Sequence, residues 1–344
     1  MAMDKSAADS YVYARASGIL ASSYVGQRAR QLFSFNSLQE LWSFVFKKEL
    51  PVVPETLFAK KLEEEAFDAF ISQFRELCAN YAKPDPLVNA LLHKYDYENL
   101  KAFGAAAVMG EKNPPSIKKI TPFNLLDYSK WPNIKQITEN SPLSWYNGMD
   151  SLAEQFDKNY RLDCQYTQEL WEAVMASPAV CRASIRRLVG QKLSLDNVVW
   201  ALRLRVYYNM TREQILGLLA YSDSDARSVN DVLVSEAVKT LDWDVSDYGK
   251  WKNWKHRDLL NPYEEGVAWT ADPGWIANAY KPVYVRNAFR LFHMYPGSVC
   301  SLLCWFIIKR NEYENIITAA ESLRLGADSA AVERISGISE VKNG

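Results

Sequence analysis

KYDYENL (Lys94–Leu100), KLSLDNV (Lys192–Val198) and RNEYENI (Arg310–Ile316) are three versions of one pattern. Each holds a basic residue, three variable positions ending in Tyr or Leu, an acid, Asn, and then Leu, Val or Ile. The copies are Lys94, Tyr97, Glu98, Asn99 and Leu100; Lys192, Leu195, Asp196, Asn197 and Val198; and Arg310, Tyr313, Glu314, Asn315 and Ile316. On a helix the base and the acid stand at i and i+4 and share a face. The base comes first, the weaker order, so each pair adds only roughly 0.3 kcal/mol.

Asn is the informative member. Its amide competes for backbone hydrogen bonds, which makes it a poor residue inside a helix. Its presence mid-helix in all three copies implies a fixed partner, with the backbone of an adjoining loop in the same unit as the candidate. Replacing Asn197 or Asn315 with Ala is then expected to destabilise the fold by roughly 1 to 3 kcal/mol. Each helix should end at a similar distance. Gly110 and Gly326 follow their Asn by 11 residues and Asn209 follows by 12, and both residue types accept the left-handed conformation of a helix C-cap. New N-caps are expected at Thr211, with Gln214 completing a capping box, and at Ser329. A weaker echo lies upstream, where DKNY (Asp157–Tyr160) and ANAY (Ala277–Tyr280) precede Asn197 and Asn315 by similar spans. These recurrences predict an internal triplication.

The rest of the chain reads as helical too. Leu38, Leu41, Trp42 and Val45 fall at i, i+3, i+4 and i+7, as do Phe67, Phe70, Ile71 and Phe74, and Ile215, Leu218 and Leu219 give a shorter version. Gly and Pro are scarce, 14 each among 344 residues, and no alternating β-branched run competes. The fold class expected is all-α, with long irregular connections at 111–142 and 246–274. At 48% hydrophobic and 13% aromatic content, a large core is available.

Charge and cysteines narrow the function. Forty Lys and Arg nearly cancel 41 Asp and Glu, so no overall field draws the chain to nucleic acid or an anionic membrane. The opening residues lack an apolar signal segment, which points to a cytosolic location. VCSLLCWFII (Val299–Ile308) is ten residues, half of the ~20 a membrane helix needs, and reads as a buried helix. Cys78, Cys164, Cys181, Cys300 and Cys304 are scattered and suit reduced thiols. No P-loop occurs, since Gly249 and Lys250 are followed by Trp251 and preceded at the proper spacing by Asp244. His93, His256 and His293 have no ligand-spaced companions, and Cys300 with Cys304 lacks a third ligand. No cofactor, metal or catalytic residue is expected. YGKWKNWKHR (Tyr248–Arg257) interleaves aromatic and basic side chains, a composition suited to stacking bases, to lipid headgroups, or to a solvated loop whose rings pack inward.

YENIITAAESLRLG (Tyr313–Gly326), LSLDNVVWALRLRVYYNMTREQI (Leu193–Ile215), YDYENLKAF (Tyr95–Phe103) and YVYARASGIL (Tyr11–Leu20) together resemble the C-type subunits of V-type and A-type ATPases, the bacterial and archaeal relatives of the eukaryotic d-type subunits. The resemblance runs over nearly the whole chain. It departs at Ser17, where a second basic residue near Arg15 is expected, and in the Trp-rich insertion at 246–274. It implies a funnel of three similar helical units around a pseudo-threefold axis, here 1–116, 117–219 and 220–344, with the N-terminal helix packing on the third. It implies a non-catalytic rotor connector, peripheral on the cytoplasmic face. Its partners would be central-stalk subunits of the D and F type and the membrane proteolipid ring, with neither nucleic acid nor a small-molecule substrate. The residues alone leave a second reading open, an α-helical adaptor or scaffold unrelated to ATPases.

Overall fold

The computed structural model describes residues 4–148, 151–327 and 332. Among them there are helices, turns and loops and no strand. In chain order the α-helices are α1 (Lys5–Ser22), α2 (Leu38–Phe46), α3 (Glu55–Cys78), α4 (Pro86–Val108), α5 (Ile134–Thr138), α6 (Leu152–Ala176), α7 (Ala179–Tyr208), α8 (Arg212–Gly217), α9 (Ser235–Leu241), α10 (Tyr248–Trp251), α11 (Pro273–Met294) and α12 (Val299–Leu325). The described residues up to Lys83, together with those from Trp243 onward, form one compact unit, and those of Pro84–Asp242 form the other.

In the first unit α12 is the central element, packed against α1, α2, α3 and α11. The apolar run Val299–Ile308 that opens α12 is buried nearly throughout, which is why it can be so apolar without spanning anything. Phe70 and Phe74 of α3 stack on Trp305 and lie tilted against Phe306; such pairs each add about 1 kcal/mol beyond their buried area. The i, i+3, i+4, i+7 stripe of α3 is the face that meets α12. Ser37 caps α2 by accepting from Glu40 N–H.

The insertion between Trp243 and α11 carries its own small aromatic core. Trp251 and Trp254 are 0% and 1% exposed, lie edge to face with each other, and Trp251 also meets Trp243. The Trp251 indole N–H donates to the Asp244 carbonyl. With both rings sealed inside, they are not available as a base-stacking platform; Tyr248 is half-buried and stacks on Tyr263 instead.

In the second unit α4 packs along α6, α6 along α7, and α7 against α9. Pro86 opens α4 behind the cap Asp85, which accepts from Leu87 N–H. Thr211 and Gln214 form the capping box expected of them, but α8 ends at Gly217, so Leu218 and Leu219 lie beyond the helix that their spacing suggested. The long connection after α4 folds back over it, and Ile120, Leu126, Ile134, Ile137, Leu143 and Tyr146 join Tyr97, Leu100 and Phe103 in one core. Gly110, Asn209 and Gly326 all have left-handed backbone, φ 69°, 51° and 62°, the conformation that stops each helix. Ser329, the remaining expected N-cap, lies outside the described residues.

Gly190 marks a close approach of α6 to α7. A Cβ there would stand 3.1 Å from Trp171 Cζ3, and that ring is buried. Gly190→Ala should therefore destabilise the protein by about 1 kcal/mol, overpacking of about 2 kcal/mol offset by about 1 kcal/mol of helix propensity. A denaturant midpoint unchanged or raised by this substitution would show that the ring gives way.

Candidate functional site

The recurrent positions fall on α4, α7 and α12, well inside each helix. The base and acid of every copy pair along the helix surface. Lys94 lies 3.5 Å from Glu98, Lys192 2.5 Å from Asp196, and Arg310 3.2 Å from Glu314. All six side chains are part-exposed, so solvent screening holds each pair to a few tenths of a kcal/mol, roughly 0.3.

The asparagines are turned inward. Asn99 Oδ1 accepts from the Lys118 N–H at 2.9 Å, and Asn99 Nδ2 donates to the Lys118 carbonyl at 3.0 Å and to the Tyr128 hydroxyl at 3.1 Å. Asn197 repeats the geometry on a different segment. Its Oδ1 accepts from the Ala220 N–H at 2.9 Å, and its Nδ2 donates to the Ala220 and Leu233 carbonyls, both at 2.9 Å. In each case one amide takes both main-chain groups of a single downstream residue, which is how a loop without its own ladder satisfies its backbone when buried. Asn315 is equally buried, at 5% exposed. Among the described residues its hydrogen bond is one from Nδ2 to Asn311 Oδ1, at 3.4 Å, within α12 itself.

A further position belongs to the pattern and is hard to see in the sequence. Three residues before each Asn stand Asp96, Ser194 and Glu312. Asp96 is fully buried and accepts from the Leu125 N–H and the Tyr128 hydroxyl, each at 2.5 Å, and from Asn124 Nδ2 at 3.4 Å. Burial holds its carboxyl above the usual Asp range, against the lowering effect of these donors. Burial, and then the neighbouring Asp96, raise Tyr128 as well. Glu312 accepts from the Tyr24 N–H at 2.6 Å and from the Lys309 ammonium, which also donates to Ser23 Oγ at 3.1 Å. Thus α12 fixes the chain just after α1 much as α4 fixes its own following loop. The signal is an acid three residues before Asn in two of three copies, hidden by the more regular base-acid spacing.

The echo upstream resolves partly. Tyr160 donates to the Gly217 and Leu219 carbonyls at 2.8 and 3.1 Å, holding the end of α8. Tyr280 is buried, with its ring 5.9 Å from that of Tyr284.

No catalytic constellation emerges from these groups. His93 Nδ1 lies 2.5 Å from Glu169 Oε1, and Tyr97 donates to the other oxygen of that carboxylate. His293 Nδ1 meets Tyr13 Oη at 3.1 Å, and His256 sits on the edge of Trp254. All five cysteines are free thiols, and burial pushes the Cys78 thiol up to about 12, which makes it inert. Among the described residues no group of three or more His, Cys, Asp or Glu is placed to hold a metal. A cavity of about 480 Å³ is lined by Asn124, Asp127, Lys130, Gln136, Glu139 and Asn140 among others, without a nucleophile paired to a base. What the buried polar groups do, on their own geometry, is fasten loops and chain segments to long helices.

The family model for the ATP synthase (C/AC39) subunit matches residues 14–335 of the chain. A protein of Treponema pallidum (strain Nichols), described as an uncharacterized protein, is 28% identical to it over 330 residues, covering 95% of this chain and 96% of that protein.

Proposed function

Because the chain belongs to the ATP synthase (C/AC39) subunit family, we propose that it is the non-catalytic rotor connector of a V/A-type ATPase, the socket that couples the central stalk to the membrane proteolipid ring. The observation that carries this reading is the extent of the family match, which takes in α4, α7 and α12 with all three asparagines. The division into units 1–116, 117–219 and 220–344, arranged as a funnel about a pseudo-threefold axis, is part of the same proposal. Torque passing from stalk to ring calls for rigid, densely packed helices and broad contact surfaces. The investment of buried amides and carboxylates in anchoring loops is consistent with that demand. Stalk subunits of the D and F type would enter the socket, and the proteolipid ring would lie beneath it. Peripheral placement on the cytoplasmic face belongs to the same proposal and rests on the family; among the described residues no helix is long and apolar enough to cross a membrane.

The test is an affinity pull-down of the tagged protein from gently solubilised native membranes, with partners identified by mass spectrometry. Stalk, catalytic-head and proteolipid subunits should be recovered together, and the purified chain alone should hydrolyse no ATP. Recovery of none of these from membranes that contain an intact V-type ATPase would leave a helical scaffold unconnected to the enzyme. Turnover that follows the chain through purification would overturn the non-catalytic assignment.

A further inference from the structure

The bend that joins α6 to α7 is short, Ser177 and Pro178, and it is firmly held. Ser177 N–H donates to the Val174 carbonyl, Ser177 Oγ donates to that of Ala173, and Arg182 Nε donates to the Ser177 carbonyl at 2.7 Å. What the bend turns to solvent is apolar. Met175 is 41% exposed and Val180 74%, and Ala176, Pro178 and Ala179 are exposed between them. Single exposed apolar side chains are commonplace, but from Met175 to Cys181 every exposed residue is apolar.

Behind this tip comes charge of one sign. Arg182, Arg186 and Arg187 are exposed, and among the described residues no carboxylate pairs with them. Between Glu172 and Asp196 the chain carries these three arginines, Lys192 and no acid. Of the four bases Lys192 alone is answered, by Asp196. Arg186 and Arg187 stand about 10 Å beyond Val180 along the helix axis, at about 1.5 Å per residue. Thus α7 opens apolar and turns basic at roughly the depth over which a bilayer passes from its acyl boundary to its headgroups, about 5 to 10 Å.

We propose that this bend docks on an anionic phospholipid surface, with Met175, Pro178 and Val180 entering the headgroup layer and Arg186 and Arg187 meeting lipid phosphates. An acidic protein surface would answer the arginines but leave the apolar tip against charge. A nucleic acid would find no aromatic ring among the exposed residues of the bend to stack on. An anionic bilayer satisfies both halves, since Arg matches phosphate with two parallel hydrogen bonds and the tip gains apolar surroundings. The near-neutral balance of the whole chain does not oppose this, because exposed charges more than ~8 Å away are largely screened at physiological salt. The inference rests on the bend itself and needs no ATPase subunit.

The full-length isolated chain, titrated with vesicles of phosphatidylcholine alone and of phosphatidylcholine mixed with phosphatidylglycerol, tests this by co-sedimentation. The mixed vesicles should bind at least ~tenfold more tightly, and high salt should abolish the difference. Each arginine near an anionic surface strengthens binding about fivefold, so Arg186→Gln with Arg187→Gln should weaken it about 20-fold. Lys250→Gln with Lys252→Gln, which removes two exposed cations elsewhere, should leave it within about twofold. Should the arginine variant fold poorly, Val180→Asp places an acid in the first turn of a helix, where it is tolerated, and should weaken binding by ~fivefold or more. Equal affinity for both vesicles, or no binding to either, would overturn the proposal, as would undiminished binding by these variants. If the arginine pair instead governs recovery of protein partners in the pull-down while vesicles are ignored, the bend is a protein interface and the lipid assignment falls. Neither result bears on the rotor reading, which the identity of the recovered partners decides.

Discussion

Asn197→Ala should lower the unfolding free energy by about 3 kcal/mol, because it leaves the Ala220 N–H and the Ala220 and Leu233 carbonyls without their partner inside the protein. Each stranded group costs about 1 kcal/mol or more, and alanine offers nothing in return. One residue earlier in the chain, Asp196 provides the contrast. Its carboxylate pairs with Lys192 on the surface, and Asp196→Ala should cost only a few tenths of a kcal/mol, about 0.3. Urea unfolding followed by circular dichroism measures both. Equal shifts for the two substitutions would mean that the amide clamp contributes no more than an exposed ion pair.

Glu312→Ala should be comparably damaging, at about 3 kcal/mol. It strands the Lys309 ammonium and the Tyr24 N–H in a setting where both pair members are under 10% exposed. Removing one partner of a buried ion pair costs about 3 to 5 kcal/mol, since the remaining charge has lost its compensation. The lower end applies because the ammonium keeps its hydrogen bond to Ser23 Oγ and a cavity of about 250 Å³, lined in part by Lys309, Glu312, Ser23 and Gln73, adjoins the pair. Replacing both members with apolar residues of similar volume, Lys309→Met with Glu312→Leu, should recover most of the loss, because no charge is then left unpaired. If the double variant is no more stable than Glu312→Ala alone, the damage lies in the Tyr24 anchor and not in the stranded charge. The same comparison shows whether the fastening of the chain after α1 onto α12 matters to the whole unit.

Much of this was legible in the sequence. The caps at Gly110, Asn209 and Gly326 follow from the conformations those residues accept, and the helices follow from the spacing of Phe67, Phe70, Ile71 and Phe74 and its counterparts. That Asn99, Asn197 and Asn315 should be buried was readable as well. An amide mid-helix is a local liability, and retaining it three times marks a tertiary use. The inward packing of the Trp-rich insertion was one of three open readings, because an alternation of rings and cations looks the same whether the rings face a nucleic acid, a lipid headgroup or a core.

Local chemistry therefore determined the class of fold, the ends of the long helices and the positions where polar groups turn inward, since propensity, capping and periodicity act over a few residues and are written in them. Tertiary structure alone decided what those groups hold. Asn99 takes Lys118, Asn197 takes Ala220, Asp96 takes Leu125, and Glu312 reaches back 288 positions to Tyr24. No short-range rule encodes such pairings. They are fixed by which loop the packed helices bring within about 3 Å of a buried amide or carboxylate that must be satisfied.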